Sequence, residues 1–439
     1  MNMVIEKKSP SSLSETTTMA KLDYDLVIVG GGIAGTALAC ALKNSGLKVA
    51  LVETQSKSVV AGKKLAYNLS LISGRILDGI GVWQEILPKI TTYRQISLSD
   101  GNYPRTVQFY PDDLTISGKK QTLKEGLGYV GEHQVMLTVM QDFLADFEEF
   151  TWLCPAEVLQ VNYQSDFVEV ELRRKNTDSL SGEEETFTVR SKLLVGADGA
   201  RSPIRETAGI GTHGWKYWQS CVAMTIKTEK SHNNIAFERF WPSGPMGVLP
   251  LPGNRCQVVW TAPHAEAKGL QVLEQEEFLA KLEDRTGGLL GKVELLSDRY
   301  VFPVQLMQSD RYVQHRLALI GDAAHCCHPV GGQGLNMGIR DVGAIVEIIK
   351  TAHQQGKDIG DIKVLKHYEA WRRKENLVIL GVTDFLDRMF SGTLLPIVAV
   401  RRLGLWGMGI IPMFKSLSLR VMTGLFGRYP ELTQILSVK

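Results

Sequence analysis

Three stretches of this chain place glycines and aspartates where they can do chemistry: GGGIAG at Gly30–Gly35, GADGARS at Gly196–Ser202, and GDAAHCCHPVGGQGLNMGIRD at Gly321–Asp341. The first follows YDLVIVG, a short apolar run rich in β-branched residues, the pattern of a buried parallel strand. It leads into TALACALKNSG, where Leu38 and Leu42 share one helical face, and LKVALVE then reads as a second strand ending in Glu53. In such a unit Gly30 permits the tight turn, Gly32 lets the backbone approach a pyrophosphate, and Gly35 lets the helix pack on the strand. The opening of the helix at Ile33 and Ala34 offers free N–H groups and a positive dipole end to the phosphates. Glu53 stands 23 residues after Gly30, where an acid binds ribose hydroxyls. The motif specifies a dinucleotide and leaves open whether it is NAD or FAD.

The other two stretches have the same form. KLLVGADGARSPIRE is an apolar strand that turns at Gly196 and Gly199, and Asp198 in that turn can accept backbone N–H bonds and stiffen it. RLALIGDAAH is a Leu/Ile strand running into Gly321 and Asp322, and a helix begins near Gln333-Gly334-Leu335-Asn336. In a flavoprotein Asp322 would bind a ribityl hydroxyl. The helix start at Gly334–Asn336 would face the pyrimidine side of the ring, where N–H groups stabilise the reduced anion. The run His325-Cys326-Cys327-His328 invites a metal reading, but zinc sites use spaced pairs, so no metal is expected.

Bulk properties bound the elements that must position these motifs. With 439 residues, 44% hydrophobic, the chain has material for two or three domains. A net charge of +2 supplies no basic excess for nucleic acid. The six cysteines lack disulfide-framework spacing, which fits a reducing compartment, and polar residues 1–23 read as a disordered leader. In DFVEVELRR, Val168, Val170 and Leu172 alternate with Glu169 and Glu171, a half-buried strand. Trp215, Tyr217, Trp218, Phe237, Phe240, Trp241 and Trp260 suit the wall of a pocket for a flat apolar ring.

Together the three motifs resemble the FAD-dependent aromatic hydroxylases related to para-hydroxybenzoate hydroxylase, nearest the UbiH-type branch that hydroxylates polyprenylated phenols in quinone biosynthesis. The likeness runs from about Tyr24 to about Phe426. It implies an α/β fold: a Rossmann-like FAD-binding domain with a mixed, mainly parallel sheet, an inserted antiparallel-sheet substrate domain, and a C-terminal helical region. The expected layout is FAD-binding segments at 24–92, 123–214 and 306–360, substrate-domain segments at 93–122 and 215–305, and helices over 361–439. Glu53 and Arg75 are implied on the adenosine and pyrophosphate side of FAD, and Asp198 at both FAD and the path of NAD(P)H. Gln134 stands where relatives often carry Arg. Gly334, Leu335 and Asn336 are implied at the flavin, and Pro329, Gly332 and Gln333 in a loop facing the reacting ring. No side-chain base is identifiable, and His325 and His328 read as structural. The implied reaction inserts one oxygen atom of dioxygen into a prenylated aromatic ring by way of a flavin hydroperoxide. NAD(P)H or an electron-transfer protein serves as reductant. A prenyl-chain reductase of the same fold, or a non-catalytic flavoprotein of a membrane biosynthetic complex, are the alternatives.

From Arg388 to Arg428 the chain has six basic residues and no acids around LLPIVAV, LWGMGIIPMF and VMTGLF. Arg401 and Arg402 inside the most apolar window, each costing about 2.5–3.5 kcal/mol at a bilayer centre, argue against a membrane span. Helices lying in the interface, basic side to headgroups and apolar side to acyl chains, are the expectation, with a C-terminal helical cap packed on the domain as the alternative. That places the protein in the cytoplasm, peripheral at the inner or cytoplasmic membrane face, with an apolar prenylated substrate and a quinone-biosynthesis complex as partners.

Overall fold

The computed structural model describes residues 21–434 except 102, 104, 117–118, 121–124 and 176–183, so most of the leader expected at 1–23 lies outside the described residues. The apolar runs form the strands they encode. Tyr24–Val29 lies between Val49–Val52 and Glu184–Gly196, parallel to both, and Phe150–Leu153 and Leu317–Leu319 extend the parallel set on its two sides. The first half of Glu184–Gly196 continues into an antiparallel meander with Val168–Lys175 and Glu157–Tyr163. There Val168, Val170 and Leu172 are fully buried, as their alternation requires. Four parallel strands therefore end on one edge, just before Gly30, Glu53, Asp198 and Asp322, the edge where open α/β sheets bind ligands.

A nine-stranded sheet stands over that edge. Its order is His325–Cys326, Tyr300–Ser309, Thr212–Thr228, Arg255–Pro263, Met246–Leu251, Ile235–Phe240, Gln95–Asp100 and Thr106–Phe109, with Val293–Leu295 beside Thr212–Thr228. It is antiparallel apart from one pair: Ile235–Phe240 runs parallel to Gln95–Asp100. One face, through Phe237, Val248, Val258 and Trp260, packs under the helices His264–Val272 and Gln275–Thr286 by way of Phe278 and Leu282. The other face turns toward the parallel sheet. The borders depart slightly from the expected layout: Thr212–Thr228 starts before 215 and Tyr300–Ser309 runs past 305. The pair His325–Cys326, inside the third FAD-binding segment, is stitched to the substrate sheet. Two polar ties hold the units together. Arg255 grips Glu132 with two bonds of 2.9 and 3.0 Å, and the buried Gln257 side chain accepts the Ala66 N–H at 3.1 Å.

The C-terminal region is helical: Gly334–Gln354, the 30-residue Ile362–Ser391, then Leu395–Ile410 and Pro412–Met422, bent 97° from each other. No single helix among the described residues is long and apolar enough to cross a membrane. Here the expected orientation is corrected. Arg401 does not face headgroups; it is 8% exposed, bidentate on Asp100 at 3.0 Å, and donates to the Phe390 and Gly392 carbonyls. Lys415 likewise reaches inward to Asp113 at 2.8 Å. The apolar residues Leu395, Leu403, Trp406, Met413 and Phe414 point outward instead. The buried carboxylate of Asp100 sets this polarity, because an unpaired charge there would cost more than exposing leucines.

Candidate active site

The Gly-rich turn shows which glycines pack and which face open space. A Cβ on Gly30, whose φ is +113°, would come within 2.4 Å of the Ala197 carbonyl oxygen, and one on Gly35 within 2.0 Å of the Gly30 oxygen. A Cβ on Gly32 would meet nothing within 4 Å. Gly32 is also the N-cap of Ile33–Ala41 and makes no side-chain cap, so the first helical amides face that open space. Glu53 braces the turn: Oε2 accepts the Gly31 N–H at 2.8 Å, and Oε1 accepts from Gln55 N–H and the Thr54 hydroxyl. Its remaining lone pairs can still take ribose hydroxyls.

Asp198 caps the helix Pro203–Thr207 through the Ile204 N–H at 3.1 Å, while its buried Oδ1 has no hydrogen-bond partner. Burial pushes this carboxyl up. Asp322 is exposed to solvent, yet enough protein surrounds it that desolvation pushes its carboxyl up too. The open space at Gly32, the uncapped amides, the unpartnered Asp198 oxygen and the accessible Asp322 together fit a bound dinucleotide such as FAD. Two expected residues stand differently. Arg75 is committed to Glu125 at 2.9 Å, and Gln134 is exposed at the second position of His133–Phe143.

The loop expected at the reacting ring is held from behind. Gly331 and Gly332 have φ of +69° and +62°, a region open to glycine, and a Cβ on Gly332 would strike the Asn68 side chain at 2.7 Å. The Asn336 side chain is fully used as a cross-link: its amide donates to Asn68 O and Gly332 O, and its oxygen accepts from Ser70 N–H and the Ser73 hydroxyl. Only its backbone is left for a cofactor. The caps of Gly334–Gln354 leave the amides of Gly334 and Leu335 outside the helical ladder, as an anion site requires. Gln333 is buried and folds back onto Gly331 O at 3.2 Å, and it lies outside the cavity that Pro329 and Gly332 line.

Both histidines are structural. His328 accepts the Val330 N–H on Nδ1, and its Nε2 faces Gln219 and Asp387 at 3.3 Å; burial pushes its pKa down to about 4, so the ring is neutral. His325 Nε2 lies 2.6 Å from Asp341 Oδ2, and Asp341 also takes Arg372 and Asn376. Burial would raise Asp341, but His325 and Arg372 outweigh it and leave the carboxyl at about 2. Burial pushes the Cys327 thiol up to about 12 and raises Cys326 as well, so neither is a nucleophile.

Between the loop and the nine-stranded sheet lies an apolar cavity of about 130 Å³. Its walls include Pro329–Gly332, Tyr93, Leu98, Phe240 and Leu249, with Leu386 and Met422 from the C-terminal helices. Of the seven aromatics expected there, Phe240 faces it; Phe237 borders it but packs with Trp260 into the opposite core, and Trp215 and Trp218 are exposed. One acid lines it, Glu238, which burial pushes up to about 8 while the Gly331 amide draws it back. The motifs give no hint of this residue. The signal was present in IAFERF, where Glu238 is in phase with Ala236 and Phe240 on a strand.

Comparison with known proteins agrees with this geometry. A family model described as FAD binding domain matches residues 23–376. The chain is 48% identical over 409 residues to the Synechocystis protein slr1300, spanning 93% of this chain and 95% of that one. It is 35% identical over 426 residues to the ubiquinone hydroxylase UbiL of Rhodospirillum rubrum, spanning 96% and 94%. Among solved structures, the p-nitrophenol 4-monooxygenase PnpA of Pseudomonas putida superposes with a TM-score of 0.74 at 20% identity, covering 92% of this chain and 98% of that one.

Proposed function

The chain belongs to the FAD-binding family that includes the ubiquinone hydroxylases, and from that premise we propose that it is an FAD-dependent monooxygenase acting on a prenylated aromatic ring of quinone biosynthesis. The observation that carries the substrate class is the cavity: walled by apolar side chains and bordered by the loop Pro329–Gly332 expected at the reacting ring. FAD, when bound, would supply the two electrons that activate dioxygen, from which the inserted oxygen atom comes. The chain does the rest. Gly32 and the first amides of Ile33–Ala41 would hold the pyrophosphate, Glu53 the ribose, and Asp322 the chain linking it to the ring. The amides opening Gly334–Gln354 stabilise negative charge at the ring's pyrimidine side. The loop Pro329–Gly332, pinned by Asn68, Asn336 and His328, sets how closely the substrate ring approaches and keeps water out.

The outward apolar face of Leu395–Ile410 and Pro412–Met422 supports contact with a membrane surface, and with it a peripheral location on the cytoplasmic side. Met422 reaches the cavity wall from the same helix pair, so a prenyl tail leaving the cavity there would meet lipid. The prenyl-reductase alternative needs no dioxygen, which separates the two. The test is a single turnover: photoreduce the purified flavoprotein with 2-geranylphenol bound, admit ¹⁸O₂, and weigh the product. One ¹⁸O atom per ring supports hydroxylation; an unlabelled, chain-saturated product establishes the reductase.

A further inference from the structure

Hydroxylating a phenol needs electron density pushed into the ring, and the chain must therefore take up the proton of the substrate hydroxyl. Glu238 is the acid that lines the apolar cavity. It lies on the cavity face of Ile235–Phe240 between Ala236 and Phe240, opposite Gly247 on one neighbouring strand and Leu98 on the other. Gly247 leaves it room: a Cβ there would stand 3.5 Å from Glu238 Oε2. The backbone amide of Gly331, in the loop expected at the reacting ring, lies close enough to Glu238 to draw its pKa down. Among the described residues no cation pairs with Glu238, so its charge is not spent on holding the fold.

The other titratable groups around it are already committed. Tyr93 gives its hydroxyl to Asn68 at 2.8 Å, and the Cys221 thiol contacts Thr261. His328 is bound on both ring nitrogens, and Asp100 is paired with Arg401. Asp384 accepts from Tyr217 and Arg388, and Asp387 faces His328 and Ser391. Arg239, on the opposite face of the strand, donates to Gly101 O.

We propose that Glu238 is the proton acceptor for the hydroxyl of the aromatic substrate, an inference that rests on the hydroxylase reading. In this step the phenol O–H bond breaks, the proton passes to a Glu238 oxygen, and the electron pair stays on the phenolate. Density rises at the ring carbons ortho and para to it, one of which receives the new hydroxyl. As the ring regains aromaticity, the attacked carbon releases its hydrogen as a proton to water. Glu238 then returns its own proton to the first oxygen. A carboxyl held near 8 can both take and return a proton at working pH, and the Gly331 amide steadies its anionic form.

The test uses wild-type holoenzyme and the isosteric E238Q, with matched flavin content and thermal midpoint. Single-turnover hydroxylation of 2-geranylphenol is followed against pH. Wild type should gain rate with a midpoint near 8, and E238Q should lose that midpoint and about 100-fold in rate at pH 9. A ring-fluorinated analogue already ionised at that pH should recover most of the E238Q deficit, which a merely structural role would not allow. Infrared difference spectra between pH 6 and pH 10, taken without substrate, should show a protonated-carboxyl band that E238Q lacks. A loss under tenfold, an unchanged pH profile, or an unchanged infrared spectrum overturns the role of Glu238 and leaves the hydroxylase reading standing. Wild type that forms no hydroxylated product overturns both.

Discussion

Replacing Arg401 with Ala tests whether inward cations, rather than packing, hold the bent C-terminal helix pair. The guanidinium makes two bonds to Asp100 at 3.0 Å and two to the carbonyls of Phe390 and Gly392 at 2.9 and 2.7 Å, and Asp100 is 4% exposed. Removing one partner of such a buried pair costs about 3–5 kcal/mol, because the other charge is stranded. Arg402, 3.4 Å from Asp100 and partly solvated, recovers some of this, so about 3 kcal/mol is expected. If that energy holds the helix pair down, local opening becomes about 150-fold more frequent, since 1.4 kcal/mol is a factor of ten. Hydrogen exchange of the amides over 395–422 reads this directly, with the strand Tyr24–Val29 as internal reference. A change under threefold over 395–422 would refute the reasoning. So would an equal loss at Tyr24–Val29, which would mean the whole molecule had weakened.

Further outcomes follow from the cleft, the cavity and the apolar face. Asp322→Ala removes a charge-assisted bond to the cofactor worth roughly 1.5–3 kcal/mol, so FAD should bind roughly tenfold to a hundredfold more weakly in a flavin-release titration. Unchanged retention would take Asp322 out of the site. Glu238 also makes stability depend on pH. The folded carboxyl, at about 8, holds a proton that an unfolded one releases above about 4.5. Its contribution is therefore whole below pH 4.5 and is lost as pH rises through 8. The loss is at most roughly 5 kcal/mol, and water in the cavity lowers it. Denaturant curves of wild type and E238Q should diverge between pH 5 and pH 9 with wild type the loser; parallel curves count against the burial argument. Placing Glu at both Leu403 and Trp406 should abolish sedimentation with vesicles of mixed anionic and neutral phospholipid, while flavin content stays constant.

Much of the fold was legible because its signals are local. The apolar runs ending at Gly30, Glu53 and Asp322 are strands, and their acids and glycines fall on one sheet edge because every parallel strand must end there. The parallel pairing of Ile235–Phe240 with Gln95–Asp100 was not legible, since those strands lie far apart in the chain and nothing near either names the other. The direction of Arg401 was hidden for a related reason: a hydropathy window sums residues and does not say which side a distant Asp100 occupies. Asn336 reads as a cofactor residue by its place at a helix start, yet four hydrogen bonds spend its side chain on the scaffold. Glu238 sits in no motif. Its meaning depends on a cavity whose walls come from seven separate stretches of chain.

That dispersed wall bears on the order in which the protein can be made. The cavity draws on residues from Asn68 to Met422, and the bond from Arg401 to Asp100 spans 301 positions. A ribosome adding roughly 5–20 residues per second releases the Gly-rich sheet strands well before the last cavity helix. Until then the apolar strands that will enclose the substrate have no cover, and Asp100 waits without its cation. The nascent chain is thus at its stickiest just before residues 395–422 emerge, and that helix pair completes both the pocket and the protection of the fold.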